Sequence, residues 1–233
     1  MRQSGRTVPD AVAAHPKRAR AVPRPGPRAV ASDPLGEPEK RRAILHAAVK
    51  VFAEKGYHGC RIADVARQAG VAYGLVYHYF CNKEALLEKV FEEQWAIFLA
   101  AVRAIREGPG SSADRLAGVC RFAVDVLKTA PAAVRVLLLE MARTPNVVRA
   151  GHTRQTFEDA LRLVAEMIAD GQRAGEIRRE IDPMVGAAGL LGALELSLTA
   201  LVLGTVPSGT EAEVERAKQQ VVDFVLRGLA SGC

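Results

Sequence analysis

Tyr73, Tyr77, His78 and Tyr79 fall within one short, nearly uncharged run of the chain. They cannot all be core in a domain of that size, so some of the hydroxyls face a polar partner, and phosphate oxygens suit them. The segment Glu39–Ala85 around them holds eight Lys/Arg against four Asp/Glu. That excess is the electrostatic footprint of an anionic partner. The chemistry on offer is binding rather than turnover. The sequence shows no nucleophile elbow, metal motif, phosphate loop or paired catalytic carboxylates, and His15, His46, His58, His78 and His152 are scattered. No enzyme activity, metal or cofactor is expected.

These residues need elements to hold them. Ile62, Val65, Ala66 and Ala69 recur at i, i+3, i+4 and i+7, which is one face of a helix. Gly70 follows where a chain leaving a helix needs positive φ, and Val71 plugs the turn. Tyr73–Tyr79 is then a helix of about two turns, too short to persist unless a domain holds it. The pair is spaced as a helix-turn-helix, whose second helix enters the major groove of DNA. The same spacing also occurs in structural helical hairpins. A preceding helix runs from Pro38 to Glu54 with Ile44, Ala47, Ala48, Val51 and Phe52 as its buried stripe, and Lys55-Gly56-Tyr57 ends it. Asn82 is placed to cap a fourth helix that reaches Glu107, long enough to link this head to a body.

The run GVAYGLVYHYFCNKEALL, with IADVARQAG and AAVKVFAEKGY before it, resembles the DNA-binding domain of the tetracycline-repressor (TetR) family of bacterial transcriptional regulators. The resemblance covers roughly fifty residues, and its Gly-x-x-Tyr-x-x-Phe-x-x-Lys core is specific. It implies that Tyr77, Lys83 and His78 hold phosphates. It places Ala72, Tyr73 and Gly74 at the exposed start of the recognition helix, where base edges are read. Arg61 starts the second helix, free to reach phosphate. Where relatives often carry Thr or Ser, this chain has Cys60 and Arg61, so a hydroxyl cap is missing and Asp64 must complement the helix dipole. Tyr73 stands where relatives often have Lys or Arg, so base specificity does not transfer.

The chain divides into a tail at 1–38, a head at 39–85 and a body at 86–233; the resemblance implies that the head binds DNA and that the body binds an effector and dimerises. Residues 1–31 carry seven Lys/Arg and one Asp, whereas 86–233 carry 17 Lys/Arg against 19 Asp/Glu. The sequence pI of about 9.3 is therefore mostly a property of the tail. Pro-rich and basic, the tail is expected to be disordered, either a basic arm on DNA or an inert extension. It lacks the apolar region of a secretory signal. Cys60, Cys81, Cys120 and Cys233 show no CxxC spacing, so a reduced cytoplasm is the expected location.

No strand pattern appears, and the fold class is all-α with about nine helices, three in the head and six in the body. Body helices are expected at about 113–129, 131–143, 145–174, 183–203 and 211–230, with Thr144-Pro145 and Asp182-Pro183 as starts. Met184–Leu203 carries one charge, Glu195, and by length alone suggests a membrane span. A lone segment with an unpaired carboxylate argues against one. Gly186, Gly189 and Gly192 instead mark a flat strip, and with Leu196, Val221 and Val225 they form the expected homodimer seam. The family resemblance implies the same place, a four-helix bundle of the last two helices of each subunit.

A ligand pocket is expected among Trp95, Phe98, Phe122, Met141, Phe157, Leu161, Val164, Met167 and Leu194. The segments DGQRAGEIRREIDP and LLGALE are similar to effector domains of fatty-acid-degradation repressors that answer long-chain acyl-CoA. Arg135, Arg143, Arg149 and Arg154 near the pocket mouth would suit phosphates; the alternative is that they form a solvated face. The functional expectation is a dimeric repressor on a pseudo-palindromic operator, released by a small apolar effector such as an acyl-CoA. The alternatives are a multidrug-responsive repressor and a protein-interaction module that lost DNA binding.

Overall fold

The computed structural model describes residues 36–143 and 151–230, with side chains at all of these except 140–143 and 151–153. The described residues form nine α-helices: α1 (Glu37–Gly59), α2 (Ile62–Ala69), α3 (Tyr73–Tyr79), α4 (Lys83–Glu107), α5 (Ser112–Thr129), α6 (Pro131–Arg143), α7 (Gly151–Ala174), α8 (Pro183–Val202) and α9 (Glu211–Leu229). An isolated bridge between Ile177 and Ala230 is the one β-type pairing among them. The Thr144-Pro145 start, the side chains of Met141, Arg143 and Arg149, the basic tail and Cys233 lie outside the described residues.

The helix starts follow local chemistry. Asn82 accepts the Ala85 N–H at 2.7 Å, and Asp182 accepts from Met184 and Val185 ahead of Pro183. Each such cap contributes about 1 kcal/mol. Arg61 offers no cap of its own to α2, and Asp64 reaches back to take the Arg61 N–H at 2.9 Å. A hydrogen bond from Lys55, then the Arg61 N–H, holds the Asp64 carboxyl below its usual range. At the end of α2, Gly70 takes φ 68 and Val71 N–H returns to the Ala66 carbonyl at 3.0 Å. α1 runs past the expected stop at Glu54. It kinks at Gly56 (φ 71, ψ 158) and continues one more turn to Gly59. A left-handed glycine bends a helix without forbidding the next turn.

Two cores form. The head core joins Ile44, Ala48 and Phe52 of α1 to Val65, Val76, Phe80, Leu87 and Phe91. The body core joins Val102, Leu116, Val124, Val164, Ile168, Leu194 and Val222. α4 feeds both, giving Leu86, Leu87, Val90 and Phe91 to the first and Val102 to the second. α6 also crosses over, because its Val136 is buried in the head core. Each large side chain so buried contributes about 1.5–3 kcal/mol.

α8 is long and apolar enough to cross a membrane. One side of it packs inward through Leu190, Leu194, Leu198 and Leu201, while Val185, Leu196 and Leu203 are exposed. Two expected seam residues face the wrong way. Gly186 is buried, and a Cβ there would meet Ile168 at 3.0 Å and Ile181 at 3.1 Å, so its smallness serves packing within the chain. Val225 is in the body core. A three-residue spacing drifts about 60° round a helix at each step, so the three glycines never shared one strip.

Candidate nucleic-acid interface and ligand cavity

α3 is held from below by Val76 and Phe80, both buried, which leaves its opposite side free. Tyr73 is 54% and Tyr77 43% exposed. Ala72, Gly74, His78 and Arg61 are also exposed, and a Cβ at Gly74 would meet nothing within 4 Å. All six are thus open to solvent. Tyr73 and Tyr77 are one turn apart, and their hydroxyls are hydrogen-bonded to each other at 3.2 Å. That bond, followed by partial loss of solvent, holds the Tyr77 phenol above its ordinary pKa. Tyr77 therefore stays protonated and can donate to a phosphate oxygen.

Lys83, expected to hold a phosphate, also has partners within the chain. Its ammonium donates to the carbonyls of Tyr57 at 2.7 Å and Cys60 at 3.0 Å. It thereby closes the C-terminal turn of α1, whose last carbonyls need donors. A lysine has three donors, so one remains for a phosphate. Tyr79 is not on the exposed surface in the same way: its hydroxyl donates to the Glu37 carbonyl at 3.1 Å and straps α3 to the start of α1.

In the body, a cavity of about 310 Å³ opens among α4, α5, α6, α7 and α8. Trp95, Phe98, Phe122, Phe157, Leu161 and Leu194 line it, as expected from sequence. Trp95 meets Phe98 and Phe157 edge-on with ring centroids 5.7 Å apart in each case. Its indole Nε1–H is buried with no acceptor among the described residues. Val164 and Met167 do not reach the cavity and are fully buried in the body core. They lie on α7 with Leu161 at helical spacing, and sequence alone does not tell the cavity-facing edge of a buried stripe from the rest.

Sequence reasoning missed Gln94, Leu137 and Glu195 in the lining. Glu195 carried a signal, as the one charge in an otherwise apolar helix. The arginines expected at the mouth are elsewhere or undescribed. Arg135 donates to the Ala53 carbonyl at 3.1 Å and pins α6 to α1. Arg154 pairs with Glu158 at 2.8 Å on its own helix. Beside the cavity, Val185, Gly189, Gly192 and Leu196 lie on one face of α8. Phe224 of α9, also missed, is 72% exposed. Val221 is partly buried against the body core.

Comparison with known proteins agrees with this anatomy. Residues 44–90 match the sequence model of bacterial regulatory proteins, tetR family. The fatty acid metabolism regulator protein of Bacillus subtilis is 28% identical over 164 residues, 70% of this chain and 84% of that protein. The fatty acid degradation regulator FadR of Bacillus halodurans superposes with a TM-score of 0.74 at 25% identity, over 84% of this chain and 98% of that one. FadR of Bacillus subtilis, solved in complex with stearoyl-CoA, gives 0.72 at 24%, over 80% and 98%. The fold is thus shared along nearly the whole of those proteins, and residues 44–90 carry the domain of the tetR family of bacterial regulatory proteins.

Proposed function

We propose that the chain is a dimeric repressor that binds a pseudo-palindromic operator and releases it when a long-chain acyl-CoA enters the body cavity. Tyr77, His78, Arg61 and the remaining donor of Lys83 hold phosphates. Ala72, Tyr73 and Gly74 approach base edges in the major groove. The seam is the exposed face of Val185, Gly189, Gly192 and Leu196 with Phe224 and Val221, which sets the two heads about one helical turn or a multiple apart. The protein works in the cytoplasm and performs no catalysis. Residues 39–85 form the reading head, 86–233 the effector and dimerisation body, and 1–38 a basic tail.

The observation that carries this reading is the double allegiance of Trp95 and Leu137. Each lines the cavity and packs against the head core. A ligand that favours one arrangement of those walls shifts the equilibrium of the heads by its differential affinity. The fatty-acid regulators among the relatives, and the stearoyl-CoA held by one of them, support an acyl group as ligand. Each methylene buried in this cavity would contribute about 0.8 kcal/mol.

The test is a titration of the protein on DNA from its own upstream region, followed by fluorescence anisotropy. Long-chain acyl-CoA releases the DNA, and free CoA does not. Release by aromatic drugs with none by acyl-CoA would replace this reading with a multidrug-responsive one.

A further inference from the structure

Resting on the acyl-ligand reading above, we propose that Glu195, with Gln94, makes the cavity select acyl groups with an uncharged head, so that thioesters act and free fatty carboxylates do not. The described lining contains two side chains that are neither apolar nor aromatic, Gln94 of α4 and Glu195 of α8. It contains no Lys or Arg. The exposed members of the lining outside the proposed seam, Ile97 on α4 and Ala188 and Glu195 on α8, mark the open side. Phe98, Phe122, Val134 and Leu161 form an apolar interior. An acyl chain places its methyl end against those rings and leaves its head at the open side, beside Glu195 and Ile97, with Gln94 one helical turn before Ile97 on α4.

The chemistry of that pair decides what the head is. A carboxylate there would face the Glu195 carboxylate with no cation in the described lining, since Arg135 and Arg154 are held by Ala53 and Glu158. Like charges at contact distance near a surface disfavour binding by about tenfold or more. A thioester carbonyl has no charge and accepts a hydrogen bond from the Gln94 amide. The amide N–H groups of a pantetheine arm, leaving through the mouth, are donors for Glu195. Neither side chain has a hydrogen-bond or ion-pair partner among the described residues, so both are available. The shared chemistry is a neutral acyl thioester on an amide-bearing arm, whether the arm belongs to coenzyme A or to a carrier protein.

Trp95 gives a direct readout, because it is the one tryptophan of the chain and stands in the cavity wall. Full-length wild type and Glu195→Gln are titrated below micelle-forming concentrations with palmitoyl-CoA, S-palmitoyl-N-acetylcysteamine and palmitate. Tryptophan emission reports binding, and anisotropy of labelled operator reports release. In wild type, both thioesters bind and palmitate is at least about tenfold weaker. Glu195→Gln closes most of that gap by improving palmitate relative to both thioesters. S-palmitoyl-N-acetylcysteamine lacks phosphates, so its binding separates the thioester head from the nucleotide. Equal binding of palmitate in wild type, or a ratio unmoved by Glu195→Gln while the thioesters still bind, overturns the role of Glu195 and leaves the acyl reading standing. No response to any of the three ligands overturns both.

Discussion

The Lys83 ammonium donates to the Tyr57 carbonyl at 2.7 Å and also sits 4.4 Å from the centroid of the Tyr57 ring. One side chain at the first turn of α4 is thus anchored twice to the residue just beyond the Gly56 kink of α1. Any tilt of α4 pulls on the end of α1 through this anchor, which couples the linking helix to the head beyond apolar packing.

Lys83→Met keeps the length of the side chain and removes the charge. It leaves the Tyr57 and Cys60 carbonyls short of a donor and should lower stability by roughly 1–3 kcal/mol. Urea unfolding reads the loss as an earlier midpoint with the slope unchanged. Operator affinity should fall as well. An unchanged midpoint would mean that water replaces the ammonium at no cost.

Tyr77→Phe should weaken operator binding by roughly 0.5–1.5 kcal/mol, the net value of one hydrogen bond. Tyr73→Phe should weaken it too, because the Tyr73 hydroxyl orients that of Tyr77. The double variant should then cost less than the two single losses together. Strict additivity in this cycle would show that the two hydroxyls act separately on DNA.

Leu196→Asp should break the dimer. It puts a charge in the middle of the proposed seam but touches nothing buried in the chain, since Leu196 is 73% exposed. Sedimentation should show monomers with helical content kept, and Phe224→Asp should act alike. Gly192 is a poorer probe, because it also lines the cavity. A stable dimer in both variants would place the seam elsewhere.

Burial pushes the Cys120 thiol up to about 12, against an ordinary value of 9.0. The folded state therefore holds this proton more tightly than the unfolded state does. Its contribution to stability is complete below pH 9 and declines as the pH rises from there toward about 12. Thiolate is the reactive form, so alkylation of the folded protein at mild pH should label exposed Cys81 and spare Cys120 and buried Cys60. Peptide mass mapping gives the pattern, and unfolding should make all three reactive. Rapid labelling of folded Cys120 would show that the body opens readily around α5.

The head was legible in the sequence because its structure is local. Gly70 needs positive φ whatever surrounds it, Asn82 caps the helix that begins beside it, and Ile62, Val65 and Ala66 share a face through helical spacing alone. The all-α class and most body helices follow from the same short-range rules. The pairing of Tyr73 and Tyr77 on one exposed face was equally plain, since the two are one turn apart in any helix.

What required the tertiary structure was the choice among equivalent faces. Gly186 and Gly189 look alike in sequence, yet one meets Ile168 and the other meets nothing. Val164 and Leu161 share one apolar stripe, but only Leu161 borders empty space. Arg135 was assigned to a ligand and instead bonds a carbonyl 82 residues away. Lys83 was read as a phosphate ligand, and its bonds to the Tyr57 and Cys60 carbonyls were not foreseen. In each case periodicity sets the angle of a side chain about its own helix axis. Which neighbour occupies that angle depends on how the helices dock, and docking is decided by the summed packing of both cores.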